Sequence, residues 1–297
     1  MIPIDIPDAK KSFYFPENLA ECDSKQYAEM SKLLFMFRSS EINYFEFRTL
    51  AVYALMGMKP DEKKIKSEKE IPEKDLPKWE NIFRLSELVD AFFDKTEMEE
   101  GVKLEIKTFY VQNHNPEFNW ISNKIPKKFI GPEDAFTNVS FGQYVDALEE
   151  YIYHSQTGDL QSLRNLFAIF YLLPNEVYNE DVSKKRAKTD FRLVDIRFLY
   201  GMFLFFESMQ KYILSGEVLI MGNTIDLSLI YQTTGDEKPS DIPGLGMHSI
   251  VHDIAESGVF GSTNEVRETK MWKVLLRLYE LKKKALDEKA KEKKTNV

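Results

Sequence analysis

Four times along this chain a residue with a short oxygen-bearing side chain is followed three places later by Glu or Gln, at the head of a run whose apolar residues recur at helical spacing. The pairs are Asp23 with Gln26, Asn43 with Glu46, Ser140 with Gln143, and Ser262 with Glu265. Each reads as a capping box. The first side chain takes an orphan backbone N–H of the opening turn, and the second reaches back to the N–H of the capping residue. The first box predicts a helix from about Ser24 to Phe37, with Tyr27, Met30, Leu33, Leu34 and Phe37 on one face. The second predicts a helix carrying Tyr44, Phe47, Leu50, Ala51 and Leu55 and stopping at Gly57. These two should form a helical hairpin. The third predicts Phe141 to His154, with Tyr144, Val145, Leu148, Tyr151 and Ile152 inward. The fourth predicts one C-terminal helix from Asn264 to about Lys289.

Other segments fill the gaps. A helix is predicted from about Trp79 to Phe93. Leu160 to Leu173 is apolar nearly all round, ends at Pro174 and should be the buried centre. A long helix is predicted from about Ser183 to Leu214. Val102, Leu104 and Ile106 alternate with charged residues, the period of a strand. Ser12 to Phe15 reads as a short strand or an extended docking arm. A hairpin is predicted near 218–229, turning on Gly222-Asn223. Asn113 to Asn138, rich in Asn, Pro and Lys, reads as loop.

The fold class is therefore mainly α, an irregular multi-helix bundle with a few short strands. The expected organisation is an N-terminal helical hairpin (1–58), a charged Pro-containing linker (59–78), a helical core domain (79–261) and a projecting C-terminal helix (262–297).

Composition excludes several classes. Hydrophobic residues make up 43% of the 297 positions, too many for a disordered chain. The net charge of -8 does not favour a nucleic-acid partner. No apolar run approaches the roughly 18 residues of a membrane span. The N-terminus Met1-Ile2-Pro3-Ile4-Asp5 lacks the basic and apolar regions of a signal peptide. The one cysteine, Cys22, permits no internal disulfide and fits a reducing compartment. The expected location is the cytoplasm.

Motifs that carry chemistry are scarce. His248 and His252 lie four apart on a predicted helix with Asp253 and Glu256 nearby, a spacing that metal sites use. Ser249 follows His248, so the zinc-protease pattern is absent, and chance spacing is the stronger reading. Gly244-Leu245-Gly246 lacks the third glycine of a dinucleotide loop, and no Gly-x-Ser-x-Gly elbow occurs. Cys22 precedes a helix, where a lowered thiol pKa can arise, but it has no local His partner. The carboxylates Glu97, Glu99, Glu100, Glu149 and Glu150 and the basic run Lys184-Lys185-Arg186 read as solvated faces. No catalytic, cofactor-binding or metal-ligating residue is assigned, and the chain is expected not to be an enzyme.

One pattern in the second half has wider relatives. It runs from Phe141-Gly142-Gln143-Tyr144 through Leu163–Pro174, Tyr178, Arg186-Ala187 and Gly201–Phe206. It ends in His252–Gly261, Glu265-Val266 and Met271-Trp272-Lys273-Val274-Leu275. The pattern resembles a group of proteins encoded among the tail genes of Bacteroidetes phages and prophages. By position and helical character that group resembles tail assembly chaperones. The resemblance implies a non-enzymatic tail assembly factor in the bacterial host cytoplasm, binding a long helical tape-measure protein or another tail protein, with no membrane partner. A virion structural subunit in a tail or connector is the alternative, and self-assembly into an oligomer is compatible with both. The partner-binding residues expected on the C-terminal helix are Met271, Trp272, Leu275, Tyr279 and Leu286.

Overall fold

The computed structural model describes residues 1–6, 11–60, 73, 76–98, 101–122, 125–215, 217–220, 223–231 and 247–295. In chain order the elements are β1 (Ile2–Ile6), β2 (Lys11–Phe15), α1 (Ser24–Arg38), α2 (Tyr44–Leu55), α3 (Leu76–Leu88), β3 (Phe93–Met98), β4 (Gly101–Ile106), β5 (Glu117–Ser122) and β6 (Ile125–Ile130). Then follow α4 (Phe141–Thr157), α5 (Leu160–Phe170), α6 (Glu180–Lys188), α7 (Ile196–Ser215), β7 (Glu217–Ile220), β8 (Asn223–Asp226), α8 (Met247–Glu256), α9 (Thr263–Glu268) and α10 (Met271–Thr295). The fold is mainly α. Among the described residues the strands pair as antiparallel two-stranded hairpins, β1–β2, β3–β4, β5–β6 and β7–β8.

All four capping boxes form. Asp23 accepts from the N–H groups of Lys25 and Gln26, while Gln26 accepts from Asp23 N at 2.9 Å. Gly57 takes a left-handed φ of 64° just past α2, and Met58 N then donates to the Tyr53 carbonyl at 2.8 Å. That i to i+5 bond is the Schellman closure of a helix end.

The chain divides into two units: Met1–Tyr110 with Val194–Leu204, and Val111–Leu193 with Phe205–Val297. This differs from the expected organisation. α3 and the β3–β4 hairpin go with the N-terminal helical hairpin, and the C-terminal helices go with the second unit. Of the expected linker, residues 61–72, 74 and 75 lie outside the described residues, and Leu76 to Lys78 already belong to α3.

In the first unit α1 and α2 pack as the predicted hairpin. Phe37, Tyr44, Phe47 and Phe93 cluster, with Phe37 and Phe47 ring centroids 5.2 Å apart. The Tyr27 hydroxyl donates to the Gly201 carbonyl at 2.7 Å and meets the Tyr110 hydroxyl at 2.8 Å. A side chain at 201 would meet the Tyr27 ring at 3.2 Å and Ser31 Oγ at 3.3 Å, so glycine permits this close helix approach.

Asp90 anchors the turn between α3 and β3. It accepts from Tyr44 Oη, Lys95 Nζ and Arg48. Burial alone would raise its pKa, but these donors outweigh burial and hold it below the ordinary value. A depressed carboxylate stabilises the fold above its unfolded pKa of about 3.9, and that contribution is lost as pH falls through the folded value. The melting-temperature gap between wild type and Asp90→Asn should therefore be widest above about pH 5 and narrow as acidification passes below the unfolded pKa. A gap that grows on acidification would contradict this.

In the second unit Phe136 sits at the centre of the core. Its ring lies 5.1 Å from Phe170 and from Phe205, and 6.0 Å from Phe206. A second aromatic cluster joins Phe118, Phe129, Phe167, Tyr171 and Phe191.

Five local expectations are corrected. The segment read as loop from Asn113 to Asn138 contains the β5–β6 hairpin, because Phe118 and Phe129 face each other in register and enter the aromatic core. The helix expected to reach Leu173 stops at Phe170, since Leu172 turns extended and exchanges both backbone hydrogen bonds with Ile130. The single helix expected from Ser183 to Leu214 is α6 and α7, separated by a turn that buries Phe191, 4.8 Å from Phe129. In the β7–β8 hairpin Ile220 pairs with Asn223, so Asn223 is a strand residue, and Leu227–Tyr231 is a 3₁₀ turn. Ile152, expected inward on α4, is exposed.

Candidate functional site

The C-terminal segment is also two helices rather than one. α9 ends at Thr269, whose ψ of 143° is extended. Phe141 N donates to the Thr269 carbonyl at 2.8 Å, and Met271 N donates to the Val139 carbonyl at 3.0 Å. The break between α9 and α10 is thus bound to the start of α4. Gly142 sits at the contact: a Cβ there would lie 3.0 Å from Arg267 Cβ and 3.1 Å from the Arg267 carbonyl oxygen.

This close approach delivers Arg267 to Asp146, one helical turn beyond Gly142 on the same face of α4. Arg267 donates to Asp146 Oδ2 at 2.5 Å, and Tyr178 Oη donates to the same oxygen at 2.5 Å. Glu180 lies 3.7 Å from Arg267 and accepts from Lys184 at 2.6 Å. Burial, reinforced by Asp146, pushes the Tyr178 phenol far up, so it is held as a donor. Burial pulls the Arg267 guanidinium down, but the hydrogen bond and charge of Asp146, with Tyr178 and Glu180, together outweigh it and the net shift is upward. Glu180 is held low, first by Lys184.

Beside this cluster opens a cleft of about 980 Å³. It is lined by Gly131, Pro132, the loop from Leu172 to Asn179, Asn138 to Ser140, and residues of α9. Its charged groups are largely engaged internally. Arg267 is bound to Asp146, Lys270 Nζ donates to the Asn138 carbonyl at 2.7 Å, and Glu176 is bound to the buried Arg186. These contacts tie α4, α9 and the loop before α6 to one another.

Of the residues in the pattern that carries the resemblance, Tyr178 lines the cleft and Gly142 meets Arg267. Sequence reasoning missed Asp146, Arg267 and Glu180. The available signal was the four-residue step from Gly142 to Asp146 on α4.

The residues expected to bind a partner divide. Met271 and Leu275 are fully buried in their own unit, which withdraws them from any partner surface. Trp272 is half-buried, donates from Nε1 to the Ala135 carbonyl at 2.6 Å and meets the Tyr212 ring edge-on. Tyr279 is half-buried, and Leu286 is exposed.

His248 Nε2 lies 2.7 Å from Glu149, while His252 is exposed. Among the described residues no group of three His, Cys, Asp or Glu side chains is placed to hold a metal ion. Cys22 is buried, and burial pushes its thiol pKa up rather than down, with Asp23 and Glu21 adding to the shift. Among the described residues no helix is long and apolar enough to cross a membrane. The chain matches no protein-family model, no curated protein and no solved structure with which it was compared.

Proposed function

We propose that the chain is a non-enzymatic binding protein that captures a helical segment of a partner, of the kind a phage tail assembly factor would take from a tape-measure protein. The observation that carries this reading is α10. The helix is anchored on the core by Met271, Val274 and Leu275. From Glu280 onward most of its described side chains are exposed, and Leu281 and Leu286 each keep 38% of their surface in water. A long helix fixed at one end and displaying apolar groups among charges suits helix-on-helix recognition. Truncation after Lys284 removes little buried apolar area and should leave the melting temperature unchanged within about 1 °C. The same truncation should weaken recovery of a co-expressed tape-measure segment. Equal recovery by the truncated chain would place the partner surface elsewhere.

A virion structural subunit is the second reading, and the hairpins favour it. Val102 on β4 and Ile121 on β5 are 60% and 68% exposed, and both belong to two-stranded sheets. Exposed strands of that kind can build sheets between subunits. Rings or tubes forming at high concentration would select this reading, and a stable monomer or dimer would select the first.

A further inference from the structure

Between α1 and the end of α2 the first unit carries a groove of about 290 Å³. Its floor is apolar: Leu33 and Leu50 are buried, and Met36 and Ala54 are half-buried. The left-handed Gly57 ends α2, and Met58 and Lys59 then line the groove, Met58 with 38% of its surface exposed. Two of the apolar linings are methionines, whose flexible thioethers adapt to the shape of an occupant.

The rim is basic. Lys25, Lys32 and Lys59 line the groove, and Glu29 is the one carboxylate among its described lining residues. Glu29 is bound by Arg197, which also pairs with Asp195 at 3.1 Å, so these acids are already compensated. Lys25 and Lys59 enter no ion pair among the described residues, and the Lys32 charge acts on Asp195. The chain as a whole carries a net charge of -8, so this is a local reversal of sign around an apolar floor.

We infer that the groove takes an acidic amphipathic helix from a partner protein. About two apolar side chains, at i and i+3 or i+4 of the partner, fill the floor over Leu33 and Leu50. Asp or Glu residues beside them meet Lys25, Lys32 and Lys59. Charge complementarity selects this occupant: a basic helix would place like charges along the rim, and an apolar helix without acids would leave the lysines unused. The surface lies in the first unit and does not depend on α10, so this inference stands or falls separately from the reading of the C-terminal helix.

The test uses the full chain and a fluorescein-labelled synthetic helix of about 18 residues. Leucines recur along it at steps of three and four, with Glu on both flanks; a matched peptide carries Lys in place of every Glu. Fluorescence anisotropy should show the acidic peptide binding, the basic one not, and the affinity falling as NaCl is raised. The triple variant Lys25→Glu, Lys32→Glu, Lys59→Glu changes only rim groups and should keep its circular dichroism spectrum. It should lose roughly tenfold or more in affinity for the acidic peptide and gain affinity for the basic one. Ala54→Trp, which fills the floor without changing charge, should also weaken the acidic peptide. Absence of binding to the wild-type chain, or equal binding to the triple variant, overturns the inference. Loss of peptide binding on truncation after Lys284 overturns it too, because the site would then be α10. If the chain self-associates in light scattering and only the triple variant does not, the occupant is a second copy and the inference fails.

Discussion

Leu166→Asp or Phe170→Asp removes the folded second unit: near-ultraviolet circular dichroism is lost and no cooperative melt remains. Both positions lie on α5, with Leu166 fully buried and Phe170 at 2% exposure. Phe170 is stacked on Phe136 with centroids 5.1 Å apart. Each substitution deletes a core side chain, worth about 2–5 kcal/mol. It also strands a carboxylate away from water, at a further cost of several kcal/mol or of a forced protonation. The sum rivals the roughly 5–15 kcal/mol that holds a whole domain. Leu166→Ala separates the two terms. It loses the packing but adds no charge, so it should stay folded with a lowered melting temperature. Wild-type melting of both Asp variants would mean that α5 faces a partner rather than the core.

What could be read in advance from residue order, and what could not, follows from range. A capping box is closed by residues three apart, so Asp23, Asn43, Ser140 and Ser262 announced α1, α2, α4 and α9 with no knowledge of the rest. The helix breaks are different. Nothing local forbids a helix through Thr189 to Asp195; the chain leaves helix there because Phe191 is buried against Phe129 and Phe167, which lie far away in sequence. The break at Thr269 exists because that carbonyl serves Phe141 N. The β5–β6 hairpin was hidden by its own surface: its lysines and asparagines look like loop, and Phe118 and Phe129 mark its buried face. The candidate site was legible only in pieces. Gly142 and Tyr178 lay within the pattern that carries the resemblance without any role, and Asp146 and Arg267 are 121 positions apart, with no spacing rule to link them.

That pair supplies the second large effect. Arg267→Ala should cost about 2–4 kcal/mol, below the 3–5 kcal/mol of a fully buried pair because the Arg267 side chain is 23% exposed. The Asp146 side chain is only 9% exposed, so it stays behind largely buried and without its guanidinium partner, beside the Tyr178 hydroxyl. The corresponding fall in melting temperature is roughly 5–15 °C. Lost packing of the arginine stem contributes as well, and a double-mutant cycle separates it from the charge. Asp146→Asn with Arg267→Met keeps an acceptor for Tyr178, keeps apolar contact at 267 and leaves no orphan charge. The double variant should recover at least half of the loss. Gly142→Ala probes the same contact without touching charge: its methyl would crowd Arg267 Cβ at 3.0 Å and the Arg267 carbonyl oxygen at 3.1 Å, so α9 must give by a few tenths of an ångström. Its destabilisation should shrink in the Asp146→Asn, Arg267→Met background, because the pair that it disturbs is already gone. Additive losses there would show that Gly142 is needed for backbone packing alone. An Arg267→Ala variant that melts with the wild type would show that solvent already compensates Asp146, and the cluster would then contribute little to holding the C-terminal helices on α4.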